Sequence, residues 1–151
     1  LSLSLEQTMN KYSEIINKNK IVNCEAAEDV NKWYKDVKNY SEPPYKIGSH
    51  TYTIELTEDT NFVRVYDKNI AYQEGGWCME YNQIEGLTPA QIKDKFALQY
   101  EPKYICDVTV PKGEHIRLGY ANPISKWGNG GGIQFDSMGQ EIFEFYNERM
   151  L

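Results

Sequence analysis

Apolar residues change their spacing part-way along this chain. Leu5, Met9, Tyr12 and Ile16 recur at helical intervals with charged residues between them, which predicts a first helix. A second helix is predicted to start at Asn23 as N-cap, with Glu25 and Glu28 near its positive end. Ala26, Val30, Trp33 and Val37 form its apolar stripe. The run YSEPPYKIGSH (40–50) stops it, because tandem prolines and Gly48 cannot continue a helix.

From residue 51 the period becomes two. TYTIEL (51–56) alternates, TEDTN turns, and FVRVYD (62–67) alternates again. Gly75-Gly76-Trp77 interrupts the chain before another short extended piece. LTPAQIKDKFAL (87–98) carries the strongest helix signal: Thr88 as N-cap, Pro89 at the first helical position, Gln91 completing a capping box, and Ile92 with Phe96 on one face. YICDVTVP (104–111) and HIRLGY (115–120) read as strands separated by the turn PKGE, and IQFD (133–136) as a further strand. The tail QEIFEFYNERM (140–150) fits strand and helix spacing equally. Helices first and strands later predict an α+β fold: N-terminal helices packed on a small, mainly antiparallel, twisted β-sheet with one further helix. Residues 1–50 are expected to form a helical segment and 51–151 a β-rich core that would carry any catalytic site, both within one domain.

Composition narrows the choice of partner. The 151 residues suit a single domain, and 40% hydrophobic with 25% charged residues is a globular balance. A net charge of −6 offers no general attraction to phosphate backbones, which argues against nucleic acid. Cys24, Cys78 and Cys106 show neither a CxxC nor a Cys/His spacing, so neither a metal site nor a disulfide framework is expected. There is no transmembrane run and no signal-peptide pattern. The chain opens at Leu1 rather than at Met, as expected of a domain cut from a longer polypeptide.

Candidate chemistry gathers at two places. In FVRVY, alternation puts Phe62, Arg64 and Tyr66 on one face and Val63 with Val65 on the other, the valines being the natural core face. That leaves Arg64 either covering aromatic surface in solvent or offering a guanidinium fork to a phosphate in an aromatic cleft. In WGNGGGIQFD (127–136), the glycines allow close approach of a ligand, and successive N–H groups can form an anion nest. Ile133 and Phe135 are expected in the core, with Gln134 and Asp136 facing away at the mouth of that loop. Trp77 and Trp127 are each core residues or rings to stack on. His115 is an alternative acid or base. No Ser or Cys sits in a nucleophile elbow.

VRVYD (63–67), GGW (75–77), GLTPAQIKDKFAL (86–98), PKYICDVTVPKGEHIRLG (102–119) and WGNGGGIQFD (127–136) occur in an order that resembles the C-terminal toxin modules of bacterial polymorphic toxins. Within those, it is similar to the tuberculosis necrotizing toxin family of NAD(+) glycohydrolases. The likeness covers roughly residues 60–136. Val65 and Tyr66 follow the arginine here, where that family has an aromatic and a glycine.

The resemblance implies catalysis by Arg64 and Gln134. It implies contacts to NAD(+) from Tyr66, Gly76, Trp77, Trp127, Gly131, Gly132, Phe135 and Asp136. NAD(+) is then the substrate, with cleavage of NADP(+) left open, and neither cofactor nor metal is needed. The resemblance also implies a cognate immunity protein, secretion as part of a larger protein, and action in the cytoplasm of a target cell during interbacterial competition. Three alternatives stay open. A mono-ADP-ribosyltransferase would use Gln134-Phe135-Asp136 as its late acidic strand. A ribonuclease toxin would use His115 with Lys112 and Arg117. A non-enzymatic binding domain is the last.

Overall fold

The computed structural model describes residues 3–151. Helix α1 (Leu5–Lys18) starts at the N-cap Ser4, whose hydroxyl accepts from the Gln7 amide while the Gln7 side chain accepts from the Ser4 amide. Its buried residues are Thr8, Tyr12 and Ile15. Leu5 and Met9, expected on the packed face, are 77% and 55% exposed. The helix presents a stripe turned by about one residue from the one its apolar positions suggest.

The second expected helix begins later. Lys20–Ala26 is strand β1, so Asn23 lies mid-strand, and α2 (Ala27–Asp36) starts after Ala26, without a side-chain cap. β1 pairs antiparallel with β2 (His50–Glu55), from Lys20 opposite Glu55 to Ala26 opposite His50. A ladder of non-local hydrogen bonds outweighs a local capping preference that contributes only about 1 kcal/mol. Val37, placed on the apolar stripe by its spacing, is exposed just past the helix end.

The remaining strands are β3 (Thr60–Tyr66), β4 (Trp77–Cys78), β5 (Tyr104–Val110), β6 (His115–Tyr120), β7 (Ile133–Asp136) and β8 (Glu144–Met150). The ambiguous tail is therefore a strand. The Thr88–Gln91 capping box opens α3 (Pro89–Phe96), and Ile92 and Phe96 are buried, as its sequence predicts. The fold is α+β, with two antiparallel sheets rather than one: β1-β2-β6-β7-β4 and β3-β5-β8. Reciprocal backbone bonds between Val63 and Met79 join them, at 2.8 and 2.9 Å.

The main core lies between the sheets. Ile54, Ile116, Leu118, Ile133 and Phe135 of the first meet Phe62, Tyr66, Cys106, Val108 and Val110 of the second, with Tyr12 and Ile15 of α1. Phe62 and Phe135 pack with ring centroids 4.7 Å apart. Val63, Val65 and Ile105 form a second core with Ile84, Ile92 and Phe96. Hence both faces of β3 are buried, and Arg64 lies on the inter-sheet face with Phe62 and Tyr66 rather than outside. On the outer face of the larger sheet, Ala27, Val30 and Tyr34 of α2 close over Tyr45.

Candidate functional site

A cleft of about 510 Å³ opens where the end of α2, the Gly75-Gly76-Trp77 segment and residues 137–145 meet. That volume lies within the range of about 300–1,000 Å³ usual for small-molecule sites. Tyr34, Tyr40 and Trp77 form an aromatic wall, with centroids of Tyr34 and Trp77 5.3 Å apart. The Trp77 indole N–H donates to the Tyr40 hydroxyl at 2.7 Å.

Behind Gly75, whose backbone forms the glycine floor of the cleft, lies Arg64, only 6% exposed. Its Nε donates to the carbonyls of Tyr72 and Gln73 at 2.9 and 3.0 Å, Nη2 to Tyr72 at 2.6 Å, and Nη1 to Trp77 at 2.9 Å. A Cβ on Gly75 would stand 1.9 Å from Nη2, so the glycine is what lets the guanidinium press against the backbone. Burial pulls the Arg64 pKa below its ordinary value. Its partners here are neutral carbonyls, so its positive charge is held under the cleft without a carboxylate to cancel it.

A second buried charge adjoins it. Asp136, opposite Trp77 in the β4–β7 ladder, is fully buried. It accepts from Arg117 Nε at 3.0 Å and Nη2 at 3.2 Å, from the Met138 amide at 2.8 Å, and from the Tyr45 hydroxyl. Burial works against the Arg117 charge, but the bonds and charge of Asp136 outweigh it and raise the pKa. Burial, then the Asp136 charge, pushes Tyr34 and Tyr45 well up, and burial raises Tyr40. These phenols stay protonated at neutral pH; Tyr45 donates to Asp136, while Tyr40 accepts from Trp77.

The expected site residues divide. Gly76 and Trp77 line this cleft, whereas Arg64 and Asp136 are buried behind it, Arg64 bonded to the Trp77 carbonyl and Asp136 opposite Trp77 in the ladder. Gln134, expected to face out, is buried and donates to the Pro44 carbonyl at 2.8 Å; it is not among the residues lining the cleft. It shares a face of β7 with Asp136, roughly 7 Å along the strand. Phe135 belongs to the core against Phe62. Tyr66 stacks on Tyr104 and donates to Glu148 at 2.5 Å.

Trp127 lies by α3, where its carbonyl accepts from Lys93 at 2.6 Å. Gly131 lines a separate hollow with Leu3, Leu5 and Gln91, while a Cβ on Gly132 would meet the Phe96 ring at 2.7 Å. The glycine run is no anion nest. Its amides are committed: Asn129 to the Asp94 side chain, Gly130 to the Asp94 carbonyl, Gly131 to Ala121, Gly132 to Lys95, and Ile133 to the Gln83 side chain. Its freedom serves close packing against the C-terminal turn of α3. His115 pairs with Glu55 at 3.2 Å on the neighbouring strand, both substantially exposed.

Tyr34, Tyr40, Tyr45, Arg117 and Ser137 were not expected at such a site. The aromatic run Trp33, Tyr34, Tyr40, Tyr45 around the prolines was the available signal. No group of His, Cys, Asp and Glu among the described residues forms a metal site. No described helix is long and apolar enough to cross a membrane.

Among solved structures, the chain is similar to Rhs1-CT, determined in complex with its cognate immunity protein RhsI1. The TM-score is 0.57 at 13% identity, over 84% of this chain and 95% of that one. The fold is shared. No protein-family model and no curated relative matches. At that identity the likeness to Rhs1-CT is one of architecture.

Proposed function

We propose that this chain is a toxin module that hydrolyses NAD(+) to nicotinamide and ADP-ribose. What supports this most is the Arg64 guanidinium held without a carboxylate beneath the glycine floor of an aromatic-walled cleft. Tyr40 and Trp77 offer faces for a planar base. Scission of the C1′–N bond sends its electron pair to the pyridinium nitrogen, and water adds to C1′ with loss of a proton. The ribosyl cation that develops needs placement and a fixed field more than a strong nucleophile, which suits a site of preorganised dipoles. Arg64 both shapes the floor and supplies positive potential toward the phosphates. Gln134 acts by fixing the Pro44–Tyr45 segment, through which Tyr45 reaches Asp136.

The fold shared with Rhs1-CT, a protein solved in complex with a cognate immunity protein, adds support for the toxin reading. On this reading the module travels within a larger secreted protein, acts in the target-cell cytoplasm, and is neutralised by an immunity protein covering the cleft. Two competing readings gain nothing from the geometry. Asp136, the acid that an ADP-ribosyltransferase reading would use, is enclosed by Arg117 and Tyr45. Arg117 is buried and held by Asp136, while His115 pairs with Glu55, so neither favours a ribonuclease reading.

The deciding assay incubates the folded domain with NAD(+) and detects nicotinamide and ADP-ribose. The wild type is expected to release both. Trp77→Ala and Arg64→Lys are expected to release at least about tenfold less. An intact NAD(+) pool beside well-folded wild type would remove the proposal.

A further inference from the structure

We infer that Lys38 is the phosphate anchor of the cleft; this rests on the dinucleotide reading above. The sequence offers Arg64 for that task, but its Nε, Nη1 and Nη2 all donate to loop carbonyls, and the Gly75 backbone stands against them. Among the residues lining the cleft, Lys38 is the cation. It follows α2 directly, just before Asn39 adopts a left-handed φ of 60° and returns the chain so that the Tyr40 amide reaches the Tyr34 carbonyl at 3.0 Å.

The Lys38 ammonium lies 5.6 Å from the centroid of the Trp33 ring. A Cβ on Gly139 would stand 3.3 Å from its Nζ, so the ammonium rests on bare backbone at the cleft wall. Among the described residues no carboxylate forms an ion pair with it. Glu74 and Glu141 also line the cleft and repel an anion, which leaves Lys38 as the place where a diphosphate is favoured. Ser137 also lines the cleft, with its hydroxyl beside Gly76.

The test compares wild type, Lys38→Met and Lys38→Arg in three measurements. These are hydrolysis of NAD(+), hydrolysis of nicotinamide riboside (which lacks the diphosphate), and calorimetric titration with ADP. Lys38→Met is expected to raise KM for NAD(+) and weaken ADP binding by about tenfold each, with kcat little changed. Cleavage of nicotinamide riboside should be unaltered, and Lys38→Arg should restore most of the affinity. Wild-type KM and ADP affinity in a folded Lys38→Met protein would overturn the inference while leaving NAD(+) hydrolysis standing. If wild type leaves NAD(+) intact, the hydrolase reading fails and the ADP titration still decides. Loss of ADP binding in Lys38→Met supports the anchor, whereas equal affinity, or none in the wild type, removes it.

Discussion

Single atoms decide much of this site. Gly75 is the tightest case, since a methyl group there would overlap the Arg64 guanidinium. Gly75→Ala is expected to displace the 72–77 loop, lower stability by about 1–3 kcal/mol and abolish cleft activity, readable as a fall in Tm with loss of turnover. Glu80 shows the opposite situation, a side chain whose natural form is uncomfortable. Its Oε1 is buried without a partner, and burial raises its pKa above the ordinary value. A carboxyl with a raised folded pKa favours folding below its unfolded pKa and loses that contribution as pH rises through the folded value. At neutral pH, therefore, ionised Glu80 costs stability. Glu80→Gln is expected to raise Tm at pH 7, with the gain shrinking as pH falls toward the ordinary carboxyl range; a gain that grows on acidification would refute this.

At the level of elements, the legibility of the chain follows the range of the forces involved. Helix α3 was readable because Thr88, Pro89 and Gln91 act within one turn. Thr88→Ala is expected to cost about 1 kcal/mol in denaturant unfolding. β1 was not readable: an edge strand with most residues exposed has little alternation, and its pairing partner lies far off in sequence. The burial of Arg64 was hidden for a related reason. Alternation assigns β3 one core face, whereas a strand between a second sheet and a helix has two. The Gly75–Trp77 segment and Arg64 were visible as candidates, while Tyr34, Tyr40 and Lys38 came from a helix end that reads only as packing.

Across the whole molecule, the Asp136 carboxylate links parts that are distant in the chain. It joins β7 to β6 through Arg117 and to the segment after the prolines through Tyr45. Arg117 also lies under the rings of Trp33 and Tyr34, 5.8 and 5.7 Å from their centroids, which brings in α2. Asp136→Asn leaves the arginine without its buried counter-charge and is expected to cost about 3–5 kcal/mol, as a shift of the global denaturation midpoint rather than local fraying. A change confined to α2 would contradict this.

The glycine-rich stretch behaves quite unlike a flexible tether. With its amides anchored to α3 and to the chain around Ala121 and Gln83, it works as a strut bracing the helix against β7. In deuterium uptake, the amides of residues 130–132 are expected to stay protected about as long as those of β7, despite a composition that suggests rapid labelling.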